Sequence, residues 1–329
     1  MRDTLVTTSE KALRFAFLGC GDITRRLSRV LRRHFRKEVE CVYASRDQER
    51  ARLTNSRYKG AGYFRSYEEA MRDPGVDVLW IATPPKTHLA LALKGMQLGK
   101  DVIVEKPAFM QVKDFETVRK VQSDTGQRIF VAENYIYKPL TIELKKMLKE
   151  KLIGEVLFLH VNALKRQMDN GWRTRFGAFF EGGVHWVNFI CSLGLDVELA
   201  HGFRAGSNDG VERSMLAVFK FKNGAVGTVS YSWELPSSIN PLRISRIFGR
   251  KGTITFESNG VFIFVKGVKT KFVIPKIRDL DGRRAMIQDF VKSLQHGTEP
   301  MLTLDLAQRD YLLLERIYKS SSSALYCES

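Results

Sequence analysis

RFAFLGCGDITRR, residues Arg14 to Arg26, runs an apolar stretch into a turn with two glycines and then into a run of arginines. A strand, a GxG turn and a helix in that order are the context in which such a turn cradles a dinucleotide. The amides that open the helix, at Asp22 and Ile23, face the ligand, and the positive end of the helix dipole favours a pyrophosphate. Gly19 and Gly21 are therefore read as cofactor contacts in preference to a mere tight turn. The third small position of the GxGxxG/A fingerprint is Thr24, a departure from the pattern. Cys20 is read as a small packing residue.

The helix continues as DITRRLSRVLRRHFRK, with Ile23, Leu27, Val30, Leu31 and His34 on one stripe. Arg25, Arg26, Arg29, Arg32, Arg33 and Arg36 fall on the other, read as a solvated outer face. About twenty residues past the turn, the second strand delivers the residue that meets the adenosine ribose. In YASRDQER that position presents Ser45 and Arg46 first and Asp47 only afterwards. A guanidinium pairs with a 2′-phosphate and a serine hydroxyl donates to it, so NADP(H) is favoured over NAD(H). The alternative is a surface arginine beside an Asp47 that caps the next helix.

Between residues 14 and 135, five short apolar runs alternate with amphipathic helical patterns, the signature of repeated βαβ units. VDVLWIA is continuously apolar, as strands of a parallel sheet covered on both faces are. Beyond a helix near Leu140, longer alternating strands take over, and the KNGA and SNGV segments carry the Asn-Gly of a two-residue hairpin turn. RRAMIQDFVKSLQHG, stopped by Gly297, and DLAQRDYLLLERIYKS read as covering helices. The expected fold is α/β. An N-terminal Rossmann domain with a doubly wound parallel sheet (11–135) precedes a C-terminal α+β domain with a large, open, mainly antiparallel sheet (136–329).

A chain of 329 residues with 44% hydrophobic content has room for two cored domains. No run approaches the roughly 18 apolar residues of a membrane span, and the first fifteen residues lack the apolar centre of a secretory signal. A cytoplasmic protein without membrane association is expected. Cys20, Cys41, Cys191 and Cys327 form no CxxC pair, so neither a disulfide framework nor a metal cage is expected. The formal charge of +17 speaks to association with anions in general and singles out no nucleic acid.

IATPPKTHLALALKGMQLGKDVIVEKP, with WR at Trp172 and Arg173 and EGGVHWVN at Glu181 to Asn188, resembles the Gfo/Idh/MocA family of sugar oxidoreductases over nearly the whole chain. The resemblance implies that Lys106 of the EKP tripeptide stands beside the nicotinamide and contacts the reacting hydroxyl, where a cation stabilises developing alkoxide charge. It makes His185 the general base, a role suited to an imidazole titrating near neutrality. Glu181 precedes His185 by one helical turn and stands where the family usually has Asp; it contacts substrate or orients the histidine. Asn188 likewise replaces an Asp.

By the same resemblance, Thr83, Pro84, His88, Glu105 and Asn134 join the cofactor contacts, with Pro85 where many members have Asn. Glu133 and Tyr135 lie near the nicotinamide or sugar, and Lys165, Arg166, Trp172 and Arg173 form the far wall. Trp172 is suited to stacking on a pyranose and Arg173 to binding a carboxylate or phosphate; the equal alternative is that WRTRF is a structural loop. The implied activity is hydride transfer between NAD(P) and a secondary alcohol or ketone of a sugar, cyclitol or sugar nucleotide, in a homodimer or homotetramer. The rivals are a dinucleotide-binding regulator without turnover and an NAD-dependent glycosidase.

Overall fold

The computed structural model describes residues 11–167, 175–206, 210–235 and 242–322, and its contacts divide the chain into two compact units. Residues 1–131 and 290–298 form the first unit; residues 132–289 and 299–329 form the second.

In the first unit the strands are β1 (Leu13–Leu18), β2 (Val39–Ala44), β3 (Gly62–Phe64), β4 (Val78–Ile81), β5 (Asp101–Glu105) and β6 (Ile129–Ala132). The intervening helices are α1 (Asp22–His34), α2 (Gln48–Tyr58), α3 (Tyr67–Arg72), α4 (His88–Gln97) and α5 (Val112–Thr125). The sheet order is β3-β2-β1-β4-β5-β6, with parallel pairing of β1 to β2 and β4. Strand order therefore reverses beside β1, the switch point where doubly wound sheets open a crevice at their carboxyl ends. All four residues of β4 are buried, as its unbroken apolar run requires. Trp80 stacks on Phe17 with ring centroids 5.3 Å apart, and Phe290 closes the same cluster. Each large side chain so buried contributes roughly 1.5–3 kcal/mol.

The second unit carries β7 (Val156–Leu164), β8 (Val197–Arg204), β9 (Ser214–Phe221), β10 (Val226–Ser232), β11 (Ile244–Gly249), β12 (Gly252–Glu257), β13 (Ile263–Lys266) and β14 (Lys271–Val273). Their order is β14-β13-β12-β11-β7-β10-β9-β8, antiparallel throughout the described pairings except that β10 runs parallel to β7. One face is buried through Leu159, Ala217, Phe219, Val229, Ile247, Ile254 and Val265. Among the helices α6 (Pro139–Lys149), α7 (Val184–Ser192), α8 (Arg283–His296) and α9 (Leu304–Ser320), α7 reaches this face through Phe189 against Phe256. α9 lies on β8, where a side chain at Gly202 would strike the Ile317 carbonyl at 2.3 Å. The opposite face is open. It exposes Phe158, Phe203, Leu216, Phe264 and Phe272, which the strand registers align on one side.

Two local expectations are corrected. Asn223 keeps a negative φ, spends its side chain on the Ala225 amide (3.2 Å), and leaves Gly224 alone at positive φ, so the β9–β10 connection is longer than a two-residue turn. On α1 the buried residues are Thr24, Leu27, Ser28 and Leu31, whereas His34 is exposed. The polar pair is buried because its hydroxyls are satisfied: Thr24 donates to the Gly19 carbonyl (2.7 Å) and Ser28 to the Thr24 carbonyl (2.7 Å). Among the described residues, no helix is long and apolar enough to cross a membrane.

Candidate active site

The turn after β1 has the shape a dinucleotide needs. Gly19 sits at φ +104°, and a Cβ there would meet the Ala82 carbonyl oxygen at 2.6 Å, so only glycine lets β1 and the end of β4 approach. Gly21 is the N-cap of α1 and offers no side-chain cap, unlike Asp47, Ser66 and Thr303, which cap α2, α3 and α9. A Cβ built on Gly21 meets nothing within 4 Å, so open space lies over the amides of Asp22 and Ile23. An uncapped helix start under open space fits a pyrophosphate. Thr24 secures this turn by the hydroxyl bond to Gly19, so its departure from the fingerprint is accommodated. Asp22 pairs with Arg25. Cys20 is buried, its thiol directed at the Ala44 carbonyl and pushed up by burial, consistent with packing.

At the end of β2, Ser45 is buried and Arg46 exposed. The Asp47 carboxylate accepts from the Arg50 amide (3.2 Å) as the cap of α2, and the Asp47 amide donates to the Ser45 hydroxyl (3.3 Å). The acidic residue is thus engaged in the helix start, and Arg46 stands before it.

Thr83 and Pro84 follow β4, and the Thr83 methyl lies 3.4 Å from the point a Cβ on Gly19 would occupy. His88 is buried, with Nε2 2.8 Å from the Thr83 carbonyl and Nδ1 3.0 and 3.1 Å from those of Pro107 and Ala108. Burial lowers its pKa. The ring therefore links the loop after β4 to the segment after Lys106. Glu105 ends β5 and accepts from the Trp80 indole (3.1 Å), while Lys106 is half-buried and joined to Pro107 by a cis peptide.

In the second unit, His185 is the second residue of α7, which follows directly on a π-helical turn, Phe179–Gly183. Such turns recur at functional sites because they re-aim side chains. His185 Nδ1 donates to Glu133, 2.6 Å from Oε2 and 2.8 Å from Oε1, and Tyr135 stacks on the imidazole at 4.6 Å. Lys138 is buried, donates to the Ser258 carbonyl (3.2 Å) and lies 4.4 Å from the Tyr135 ring centroid. Burial, reinforced by the Arg243 charge, pushes its ammonium down to about 8. Glu181 is buried in the π-turn beside Tyr231, whose hydroxyl accepts from Trp233 (2.7 Å) and stands against Gly182. Lys165 lies 6.0 Å from the Tyr231 ring centroid. Asn134 donates to the Asp281 carbonyl, so its amide holds a loop of the same unit.

The π-turn is held from beneath. Glu212 accepts from the Phe179 amide (2.6 Å) and the Tyr318 hydroxyl (2.9 Å), and Tyr318 accepts from the Phe180 amide (2.7 Å). Gly177 is required there, since a Cβ would lie 1.8 Å from Glu212 Oε2. Burial raises the Glu212 carboxyl to about 7. Asn188 donates to Asp310 on α9 (2.7 Å), a contact within the core. Trp172, Arg173 and Cys327 lie outside the described residues. The sequence reading did not single out Glu133 as the partner of His185, nor Lys138, Glu212 and Tyr231; no local motif marks them.

A glycine turn at the switch point of a parallel sheet defines a dinucleotide-binding protein of the Rossmann class, and comparison with known proteins narrows this. Residues 13–133 match the oxidoreductase-family, NAD-binding Rossmann-fold model of the Gfo/Idh/MocA proteins, and residues 141–255 match their C-terminal domain. The chain belongs to the Gfo/Idh/MocA family of oxidoreductases. The trans-1,2-dihydrobenzene-1,2-diol dehydrogenase of Danio rerio is 23% identical over 282 residues, covering 80% of this chain and 81% of the relative. Among solved structures, the WlbA dehydrogenase of Bordetella pertussis, in complex with NADH and UDP-GlcNAcA, has a TM-score of 0.81 at 22% identity, covering 95% and 96% of the two chains. A levoglucosan dehydrogenase in complex with NADH and levoglucosan has a TM-score of 0.83 at 19% identity, covering 94% and 97%. At these identities the structural likeness is one of fold.

Proposed function

We propose that this chain is an NADP(H)-preferring oxidoreductase that interconverts a secondary alcohol and a ketone on a sugar, cyclitol or sugar nucleotide. The observation that carries the reading is the Glu133-held His185. A carboxylate only accepts, so the proton sits on Nδ1 and Nε2 carries the lone pair, the tautomer a general base needs. Family membership and the sugar ligands of the WlbA and levoglucosan dehydrogenases support the substrate class.

A nicotinamide dinucleotide, when bound, supplies the hydride donor or acceptor. Gly19 and Gly21 with the α1 amides hold its pyrophosphate, and Arg46 with Ser45 takes the 2′-phosphate, because Asp47 is committed to capping α2. Lys106 donates to the reacting oxygen and stabilises its negative charge. His185 removes the hydroxyl proton in oxidation and returns one in reduction. The protein is a homo-oligomer whose second copy covers the open sheet face bearing Phe158, Phe203 and Phe264.

The test is stoichiometric loss of NADPH absorbance with a panel of keto-sugars and sugar nucleotides. Net consumption that disappears in Lys106→Ala and His185→Ala supports the reading, and undiminished turnover in either variant removes that residue from it. Turnover without net NADPH consumption would instead identify a glycosidase. Calorimetry of NADPH and NADH, with wild type and Arg46→Ala, tests the cofactor preference separately: equal affinities unaffected by the substitution defeat it.

A further inference from the structure

α1 turns three arginines outward after its first two turns, and a fourth, Arg36, stands two residues past its end. Arg29, Arg32, Arg33 and Arg36, together with Arg57 and Tyr58 at the end of α2, line a surface cavity of about 420 Å³. Three other arginines on the helices of this unit have a carboxylate within a turn: Arg25 pairs with Asp22, Arg52 with Glu49 and Arg72 with Glu68. None of the five around the cavity pairs with a carboxylate among the described residues. Arg36 Nε donates to the Arg32 carbonyl (2.8 Å), and the Arg57 guanidinium lies 5.8 Å from the Tyr58 ring centroid. Those contacts order two of the side chains and neutralise neither. Like charges at i,i+3 and i,i+4 repel, so the group is held together at a cost.

A second observation comes from Tyr58. It is 6% exposed, and its hydroxyl is buried with no hydrogen-bond partner among the described residues. Tyr58 lines the same cavity, and buried hydroxyls are nearly always satisfied, so its donor is left for a partner that the described residues do not supply.

We propose that this cavity binds a small polyphosphate anion, a chain of phosphates joined by anhydride bonds, either free or as the tail of a nucleotide. The C-terminal ends of α1 and α2 oppose an anion with about half a negative charge each, far less than five guanidinium charges supply. A single carboxylate or monophosphate leaves most of that charge unmet. A phosphate chain concentrates several charges in a small volume, and its oxygens match the guanidinium fork bidentately. The site is concave and offers no exposed aromatic face on which a base would stack, which disfavours a nucleic-acid strand. It is also distinct from the dinucleotide cradle. Arg33 lies twelve residues beyond Gly21, about 18 Å along the helix axis, toward the opposite edge of the parallel sheet.

Calorimetric titration of the full chain with sodium tripolyphosphate, at constant ionic strength and with and without saturating NADPH, tests this. One equivalent is expected to bind, with affinity falling at least about tenfold in Arg29→Ala/Arg33→Ala and about threefold in Tyr58→Phe or Arg33→Lys. Lys145→Ala/Lys149→Ala on α6 removes the same charge elsewhere and is expected to change nothing, as is NADPH affinity in every variant. ATP binding as tightly as tripolyphosphate assigns recognition to the phosphate chain, and ATP binding tighter with the same variant losses assigns it to a nucleotide. No binding, several equivalents bound, or equal losses in the lysine control overturn the proposal. So does a duplex oligonucleotide that binds the same arginines more tightly than tripolyphosphate.

Discussion

His185 and Glu133 are joined through Nδ1 at 2.6 Å, which puts the proton on Nδ1 and makes Nε2 the acceptor nitrogen of the neutral ring. The carboxylate selects the tautomer and, in the proposed reaction, stabilises the imidazolium formed when His185 takes up the substrate proton. In Glu133→Gln the amide can present an N–H to the ring and reverse the tautomer. Turnover is expected to fall on the order of 10²-fold or more, with the melting temperature and NADPH affinity little changed. Steady-state rates, calorimetry and thermal unfolding of the variant check this; wild-type turnover would remove Glu133 from the mechanism.

The two glycines of the turn separate folding from binding. Gly19→Ala places a side chain at positive φ against the Ala82 carbonyl and is expected to cost about 1–3 kcal/mol of stability. Gly21→Val meets open space and should fold normally, yet it fills the volume over the helix amides. Its melting temperature should stay near wild type while NADPH affinity falls about tenfold or more. Equal affinity in Gly21→Val would place the pyrophosphate elsewhere.

The Glu212 carboxyl is raised from 4.5 to about 7 by burial. Between those values the native state keeps a proton that the unfolded state has released, so stability falls as pH rises from about 4.5 to about 7. The change attributable to this group is on the order of 3 kcal/mol, taking 1.36 kcal/mol per unit. Comparing pH-dependent denaturation of wild type with Glu212→Gln isolates it: the variant should lack that slope. Parallel curves would show that the carboxyl titrates normally.

The open sheet face predicts the assembly state. Phe158→Arg with Phe203→Arg places two charges where a second copy is expected to dock, and sedimentation should show the variant as a monomer with an intact near-ultraviolet spectrum. A wild-type chain that sediments as a monomer rejects this interface.

Much of the fold was legible in local pattern. β4 is continuously apolar and β5 is so from Val102 to Val104, because both faces are covered, and α8 ends where Gly297 takes a positive φ. Two strands escaped. β3 has three residues, too few for any period to show. β8 carries Leu199 and Phe203 on its exposed positions, so the alternation that marks a half-buried strand is blurred. The same apolar outward positions belong to the face proposed to meet a second copy.

At the site, the roles of Ser45, Arg46 and Lys106 belong to the proposed function, while the glycine turn is written in consecutive residues and was readable locally. Partnerships formed across distance were not. His185 and Glu133 are 52 residues apart, Glu212 and Phe179 are 33 apart, and Tyr318 and Phe180 are 138 apart. The sequence alone established the class of fold and the dinucleotide turn, since backbone conformation and helix dipoles act within a few residues. Which carboxylate orients the histidine, and which carboxyl is raised by burial beneath its helix, depended on burial and on side chains meeting across strands. Those are properties of the folded chain.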